Sequence, residues 1–187
     1  ACQDVAVSAD ENCQAYASID NGSHDPDGDP ITIVQDPPGP YELGETLVTL
    51  TVTDDNGLSD TCTATVTVED TTPPVLACPS ENVIECTEPG GVSADDPRIV
   101  EFFADVTVED NCDDDVDVVN DAPPFFHGPC YGTGGLTVVN WVATDDAGNI
   151  DECSATVTVI DTTPPEIEVT VAPQVLWPCN HKMVDVE

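Results

Sequence analysis

The chain has 187 residues, 40% of them hydrophobic and only 5% aromatic, and sets 38 acidic residues against two basic ones for a formal net charge of -36. So negative a surface cannot neutralise phosphates, which excludes nucleic acid and an anionic membrane as partners. Scarce aromatics leave Val, Ile, Leu, Ala and Thr to build a core, the diet of thin β-sandwiches. Such self-repulsion calls for bound cations, with calcium the economical choice.

Taken in chain order, Ala1-Cys2-Gln3 opens on a first strand, and Asp25-Pro26-Asp27-Gly28-Asp29 follows as an acidic turn. Residues 46–53 (TLVTLTVT) and 63–68 (TATVTV) alternate with period two and are β-branched, as half-buried strands are. Asp55-Asn56-Gly57 between them suits a hairpin turn. Asp70-Thr71-Thr72-Pro73-Pro74 then stiffens the chain and removes amide donors. Ala77-Cys78-Pro79 opens a second series, in which residues 96–103 (DPRIVEFF) fit a helical turn or two. Residues 136–144 and 154–160 repeat the strand pattern around the turn Asp146-Ala147-Gly148-Asn149.

These two series are one repeat. Residues 53–74 and 144–165 correspond at an offset of 91, and Ile19-Asp20-Asn21-Gly22 echoes Glu109-Asp110-Asn111-Cys112 at an offset of 90. The openings correspond at an offset of 76, so the second unit carries about 14 extra residues near 90–104. The expected architecture is all-β: β-sandwich domains at 1–72 and 73–163, joined end to end by Pro-Pro linkers into a semi-rigid rod. Residues 164–187 supply either the first strands of a third domain or a strand donated to a neighbour.

Calcium takes six to eight oxygen ligands. Asp25, Asp27 and Asp29 resemble the first half of an EF-hand loop, but its twelfth position falls on Asp36, a shorter acid in strand-like sequence. A full EF-hand is rejected, leaving a calcium loop at a sandwich end or a solvated turn. The second constellation recurs: Asp20, Asn21, Asp54, Asp55, Glu69 and Asp70 in the first unit, and Asp110, Asn111, Asp113, Asp145, Asp146 and Asp161 in the second. Each set is expected to gather near one domain end or the joint. A calcium ion there would rigidify the rod.

Ala77-Cys78-Pro79, Asp110-Asn111-Cys112, Thr144-Asp145-Asp146-Ala147-Gly148-Asn149, the 153–159 strand and both Asp-Thr-Thr-Pro-Pro joints resemble the HYR-like immunoglobulin-like repeats of secreted and cell-surface proteins. The resemblance implies immunoglobulin-like sandwiches used in adhesion or as surface spacers, without catalytic activity. It implies the disulfides Cys2–Cys62 and Cys78–Cys153, after which Cys86–Cys112 is a candidate third; Cys13–Cys62 and Cys78–Cys86 stay open as alternatives. Nine cysteines place the chain in an oxidising, extracellular or cell-surface setting and leave at least one unpaired within it.

No nucleophile sits beside a base in a recognisable motif, so an enzyme is not expected. The leading reading is a structural or adhesive module of a stalk, layer or fibre, with neighbouring copies or domains of the same protein as partners. The alternative is an accessory domain binding carbohydrate or protein. Its aromatic platform would come from Tyr16, Tyr41, Phe125, Phe126 and Tyr131, and its contact loop from residues 122–135. Trp141 is assigned to the core. His127 with Cys130, and Cys179 with His181, lack the further partners a metal site needs. Asn21-Gly22-Ser23 is an N-glycosylation acceptor sequence.

Overall fold

The computed structural model describes residues 1–86, 88–129 and 135–168, together with two short strands, Val175–Leu176 and Val184–Asp185. The N-terminal half contains β1 (Val5–Ser8), β2 (Gln14–Ala15), β3 (Ile31–Asp36), β4 (Tyr41–Glu42), β5 (Gly44–Asp54) and β6 (Ser59–Glu69). Four of them form a sheet in the order β1-β6-β5-β3, with β1 parallel to β6 and the other pairs antiparallel. β2 and β4 pair as a second, smaller layer. Period-two patterning decides the faces. Val48 and Leu50 of β5 and Ala64, Val66 and Val68 of β6 point inward, where they meet Ala15, Ile19 and Tyr41.

One polar hub fixes the loops over this core. Gln35 accepts from the Ile19 amide at 2.8 Å and donates to the Ala17 carbonyl and the Tyr41 hydroxyl at 3.0 and 2.9 Å. Tyr41 donates onward to the Pro37 carbonyl at 2.9 Å. Gln35→Leu would orphan the Ile19 amide and is expected to destabilise the chain by about 1–3 kcal/mol. Denaturant unfolding measures this, and an unchanged midpoint would show the network to be dispensable.

The C-terminal half contains β7 (Val75–Ala77), β8 (Asn82–Glu85), β9 (Gly91–Ser93), α1 (Pro97–Ala104), β10 (Thr107–Glu109), β11 (Asp117–Asn120), β12 (Phe125–His127), β13 (Leu136–Thr144) and β14 (Ile150–Ile160). Its main sheet runs β11-β13-β14-β8, again with the first strand of the set parallel to the last. This is the strand order of the first half, so the 91-residue repeat is a repeat of structure. β7 pairs with β10, and β9 with β12.

The additional residues of this half become β9 and α1. Asp96 caps the helix by accepting from the Arg98 amide at 2.9 Å, and Pro97 occupies the first turn, where its missing N–H costs nothing. Ile99 and Phe102 face inward. Phe102 and Phe103 meet Trp141 edge-on, with centroids 6.0 and 5.8 Å away, and Phe103 also reaches Phe126. Tyr41 and Phe126 are buried, at 3% and 0% exposure, whereas Tyr16 is 74% exposed. The aromatic platform expected of a ligand-binding domain is therefore corrected: two of its members fill cores. Tyr131 lies outside the described residues.

Three disulfides have both cysteines among the described residues. Cys2–Cys62 and Cys78–Cys153 each tie the opening of a half to its last long strand, with Cα atoms 6.0 and 5.7 Å apart. Cys13–Cys112 joins the halves to each other, with Cα atoms 5.1 Å apart and 99 residues of sequence between them. The expected Cys86–Cys112 bond is thus corrected. Cys112 sits in the turn after β10, beside the β13–β14 hairpin, whereas Cys86 follows β8 and its amide bonds Ile160 at the far end of β14. Cys86 is itself disulfide-bonded, but not to Cys112. Cys130 and Cys179 lie outside the described residues.

Candidate cation site between the two halves

Three carboxylates from distant parts of the chain meet where the halves adjoin. Asp70 follows β6, Asp110 follows β10, and Asp145 follows β13. One oxygen from each lies within 4.8 Å of the others. Asp145 is 5% exposed and is the buried charged side chain among the described residues.

Local hydrogen bonding explains how each acid is aimed. Asp145 folds the hairpin turn upon itself, accepting from the Asn149 amide at 2.7 Å and the Asn149 side chain at 2.8 Å. The Asn149 amide group also donates across the joint to the carbonyls of Asp70 and Thr72, both at 3.3 Å. Asp110 Oδ1 accepts from the amides of Cys112 and Asp113 at 2.7 and 3.0 Å. Its Oδ2 is buried without any hydrogen-bond partner, and so is Oδ1 of the adjacent Asn111. The Asn111 side-chain nitrogen meanwhile donates to the Asp10 carbonyl of the first half at 3.0 Å.

Buried oxygens without donors are rare, because stripping their water costs about 1–3 kcal/mol each or more when charged. Two unit charges about 5 Å apart also repel by roughly 3 kcal/mol at an effective dielectric of about 20. A hard divalent cation relieves both penalties, and the donors present are oxygens, the set that calcium prefers.

The other expected ligands lie elsewhere. Asp113 and Asp146 are neighbours of the cluster, with the Asp146 amide donating to Asp113 at 2.9 Å. Glu69 ends β6 and is exposed. Asp54 accepts from the amides of Asn56 and Leu58 at the opposite end of β6, and Asp55 accepts from the Asn56 side chain. The eleven residues of β6 hold that turn roughly 35 Å from Asp70. The expectation that one unit's turn acids and joint acids converge is therefore corrected: Asp70 of the first unit meets Asp110 and Asp145 of the second.

Asp25 accepts from the amides of Asp27 and Asp29, and Asn56 donates to Asp29 at 3.4 Å, so this loop belongs to the Asp54 end. Ser23 donates to Asp20 by hydroxyl and amide and holds that carboxyl below its ordinary value. Asn21 lies beside it, lining a shallow depression with His24 and Asp60.

Asp161 caps the second Asp-Thr-Thr-Pro-Pro segment by accepting from Thr163 at 3.2 Å. There Glu85, at the end of β8, accepts from the amide and hydroxyl of Thr162 at 2.7 and 2.8 Å and from those of Thr163 at 3.2 and 3.1 Å. In the first half Ser8 takes the corresponding place and receives the Thr71 hydroxyl at 2.9 Å. The donors from Thr162, then from Thr163, hold the Glu85 carboxyl below its ordinary value of 4.5. A depressed folded-state pKa means this latch is fully made above the ordinary value and is lost as pH falls through the lowered one. Corrected for intrinsic exchange, protection of the Thr162 and Thr163 amides is expected to fall as pH drops below the ordinary glutamate value, and Glu85→Gln to lose that pH step. A pH step retained in the variant would assign it to another carboxylate.

No described helix is long and apolar enough to cross a membrane. Residues 69–159 match the model of the HYR domain. The chain is 35% identical over 142 residues to hyalin of Lytechinus variegatus, covering 73% of this chain and 25% of that protein. It is 36% identical over 132 residues to hyalin of Strongylocentrotus purpuratus, covering 68% of this chain and 10% of that protein. It thus spans a quarter or less of these relatives' length. Among solved structures, human protocadherin-24 EC1-2 aligns over 84% of this chain and 95% of its own, at 16% identity and a TM-score of 0.37. Drosophila N-cadherin EC1-4 aligns over 84% and 47%, at 12% identity and a TM-score of 0.39.

Proposed function

Because this chain belongs to the HYR domain family, we propose that it is a non-catalytic extracellular module of adhesive assemblies, divided at 1–72 and 73–163 and stiffened by calcium at the joint. The observation that carries this reading is Asp110 Oδ2, a buried carboxylate oxygen without a donor, within a group of three acids drawn from both halves. Asp70, Asp110 and Asp145 would hold the ion, with Asn111 offering a further buried oxygen beside them. Backbone carbonyls and water would complete a shell of six to eight. An ion shared between the halves favours their docked arrangement over any other, because only that arrangement assembles all its ligands.

Neighbouring copies or domains of the same protein are the proposed partners, in a stalk, layer or fibre. Donation of the 164–187 segment falls largely outside the described residues. Cys13–Cys112 restrains the joint with or without a cation, so overall length is a poor readout of calcium. Hydrogen exchange is a better one. Calcium is expected to slow exchange at the amides of Cys112, Asp113, Asp146 and Asn149 at least tenfold relative to a chelated sample. Calorimetry is expected to show uptake of one ion at this site. No uptake and unchanged exchange would falsify the reading.

A further inference from the structure

Cys13–Cys112 and the acid cluster share one short turn. Asp110 contributes to the cluster, Asn111 carries the second unpartnered oxygen, and Cys112 is covalently held by the other half. The Cys112 amide donates to Asp110 Oδ1 at 2.7 Å, so the residue that bears the disulfide also orients the carboxylate. The Asn111 side chain adds a hydrogen bond to Asp10, three residues before Cys13, and approaches Cys112 Sγ at 3.1 Å. Asp10 in turn accepts from the amides of Asn12 and Gln14 and so shapes the turn that presents Cys13. Cys13 itself adopts a left-handed φ of 61°, a conformation a non-glycine residue keeps only where its surroundings demand it.

We propose that the Cys13–Cys112 bond preorganises the interunit cation site, so that disulfide and cation stabilise each other. The proposal rests on the calcium reading above. With the bond closed, Asp110 and Asn111 are held against Asp70, and binding need not supply the ordering of two independent halves. With it open, the same ligands must be gathered at the expense of binding. Linkage is reciprocal: if the bond strengthens cation binding, the cation protects the bond by the same factor at equilibrium.

The test compares calcium affinity in the oxidised chain, in Cys13→Ala/Cys112→Ala, and in Cys2→Ala/Cys62→Ala, whose lost bond lies in the first half alone. Couplings of this kind span roughly five- to 150-fold, so the first variant is expected to bind calcium at least about fivefold more weakly, and the second within about twofold of the parent. Far-UV and near-UV circular dichroism establish that both variants are folded. A second arm uses tris(2-carboxyethyl)phosphine on the parent chain. The phosphine gives two electrons to the S–S bond and becomes its oxide with oxygen from water, whose two protons end on the two thiols. Alkylation and mass spectrometry then read each cysteine. Calcium is expected to slow labelling of Cys13 and Cys112 more than that of Cys2 and Cys62.

Equal affinity in parent and Cys13→Ala/Cys112→Ala overturns the coupling while leaving the site intact. Equal weakening in both variants overturns it as a general loss of stability. No calcium uptake by the oxidised parent overturns the site and the coupling together.

Discussion

Trp141→Ala is expected to destabilise the C-terminal half by about 3–5 kcal/mol, the usual cost of removing a large buried aromatic. Trp141 is 2% exposed, takes the edges of Phe102 and Phe103, and lies opposite Cys153 in the β13–β14 register. Its loss would open a cavity between α1 and the main sheet, where the disulfides and strand ladders prevent full collapse. The damage should be regional. The N-terminal cluster of Ala15, Ile19, Tyr41, Val48, Leu50, Ala64, Val66 and Val68 shares no residue with that around Trp141. Hydrogen exchange is the discriminating measurement. Protection should fall in β13, β14 and α1 while β5 and β6 keep theirs. Uniform loss across both halves would show that they unfold as one unit.

Asp145→Asn should cost far more stability with calcium than without it. In chelator the substitution removes one of three crowded charges and keeps an oxygen for the Asn149 backbone amide, but it turns an NH2 group toward the Asn149 side-chain nitrogen. The two effects oppose, so the net change in chelator should be small. With calcium at about a hundredfold excess over its dissociation constant, the parent gains roughly 2.7 kcal/mol from linkage and the variant gains little of it. The two thermal unfolding curves should lie close together in chelator and separate in calcium, the parent's midpoint rising by several degrees more. A variant less stable in chelator and equally responsive to calcium would make Asp145 a structural acid and place the ion elsewhere.

Much of this fold can be read directly from residue order. Alternation along β6 and β14 separates the Val that enter the cores from the Thr that leave them, whereas Leu47 of β5 and Leu136 and Val138 of β13 stay exposed. Pro97 after Asp96 announces α1, and the 91-residue offset foretells two sheets of one order. The disulfides implied by family resemblance, Cys2–Cys62 and Cys78–Cys153, stand where the repeat itself places equivalent cysteines.

What escapes such a reading lies between the repeats. A repeat aligns Asp54 with Asp145 and Asp70 with Asp161, which invites grouping acids by unit. The length of β6 instead carries Asp70 away from Asp54 and toward the next unit's turns. Cys13–Cys112 is hidden for the same reason, since neither cysteine has a counterpart at the repeat offset. A signal is nevertheless present: cysteines without repeat equivalents are those free to bond across a joint. The burial of Phe126 is equally hard to foresee, because its strand is three residues long, too short for alternation to reveal its face.

The two repeat-equivalent disulfides also determine how this chain would carry tension. Force entering at Cys2 crosses directly to Cys62, runs along β6 through Asp70 to Cys78, and crosses again to Cys153 before leaving by β14. The 60- and 75-residue separations closed by these bonds stand outside the load path, and each hides roughly 200 Å or more of extended chain from the pull. The strands still under load, β6 and β14, are already extended, and each is paired along its exit with β1 or β8. Such a chain behaves as an inextensible tether: with its disulfides intact, pulling can separate partners or break bonds, but it cannot release slack.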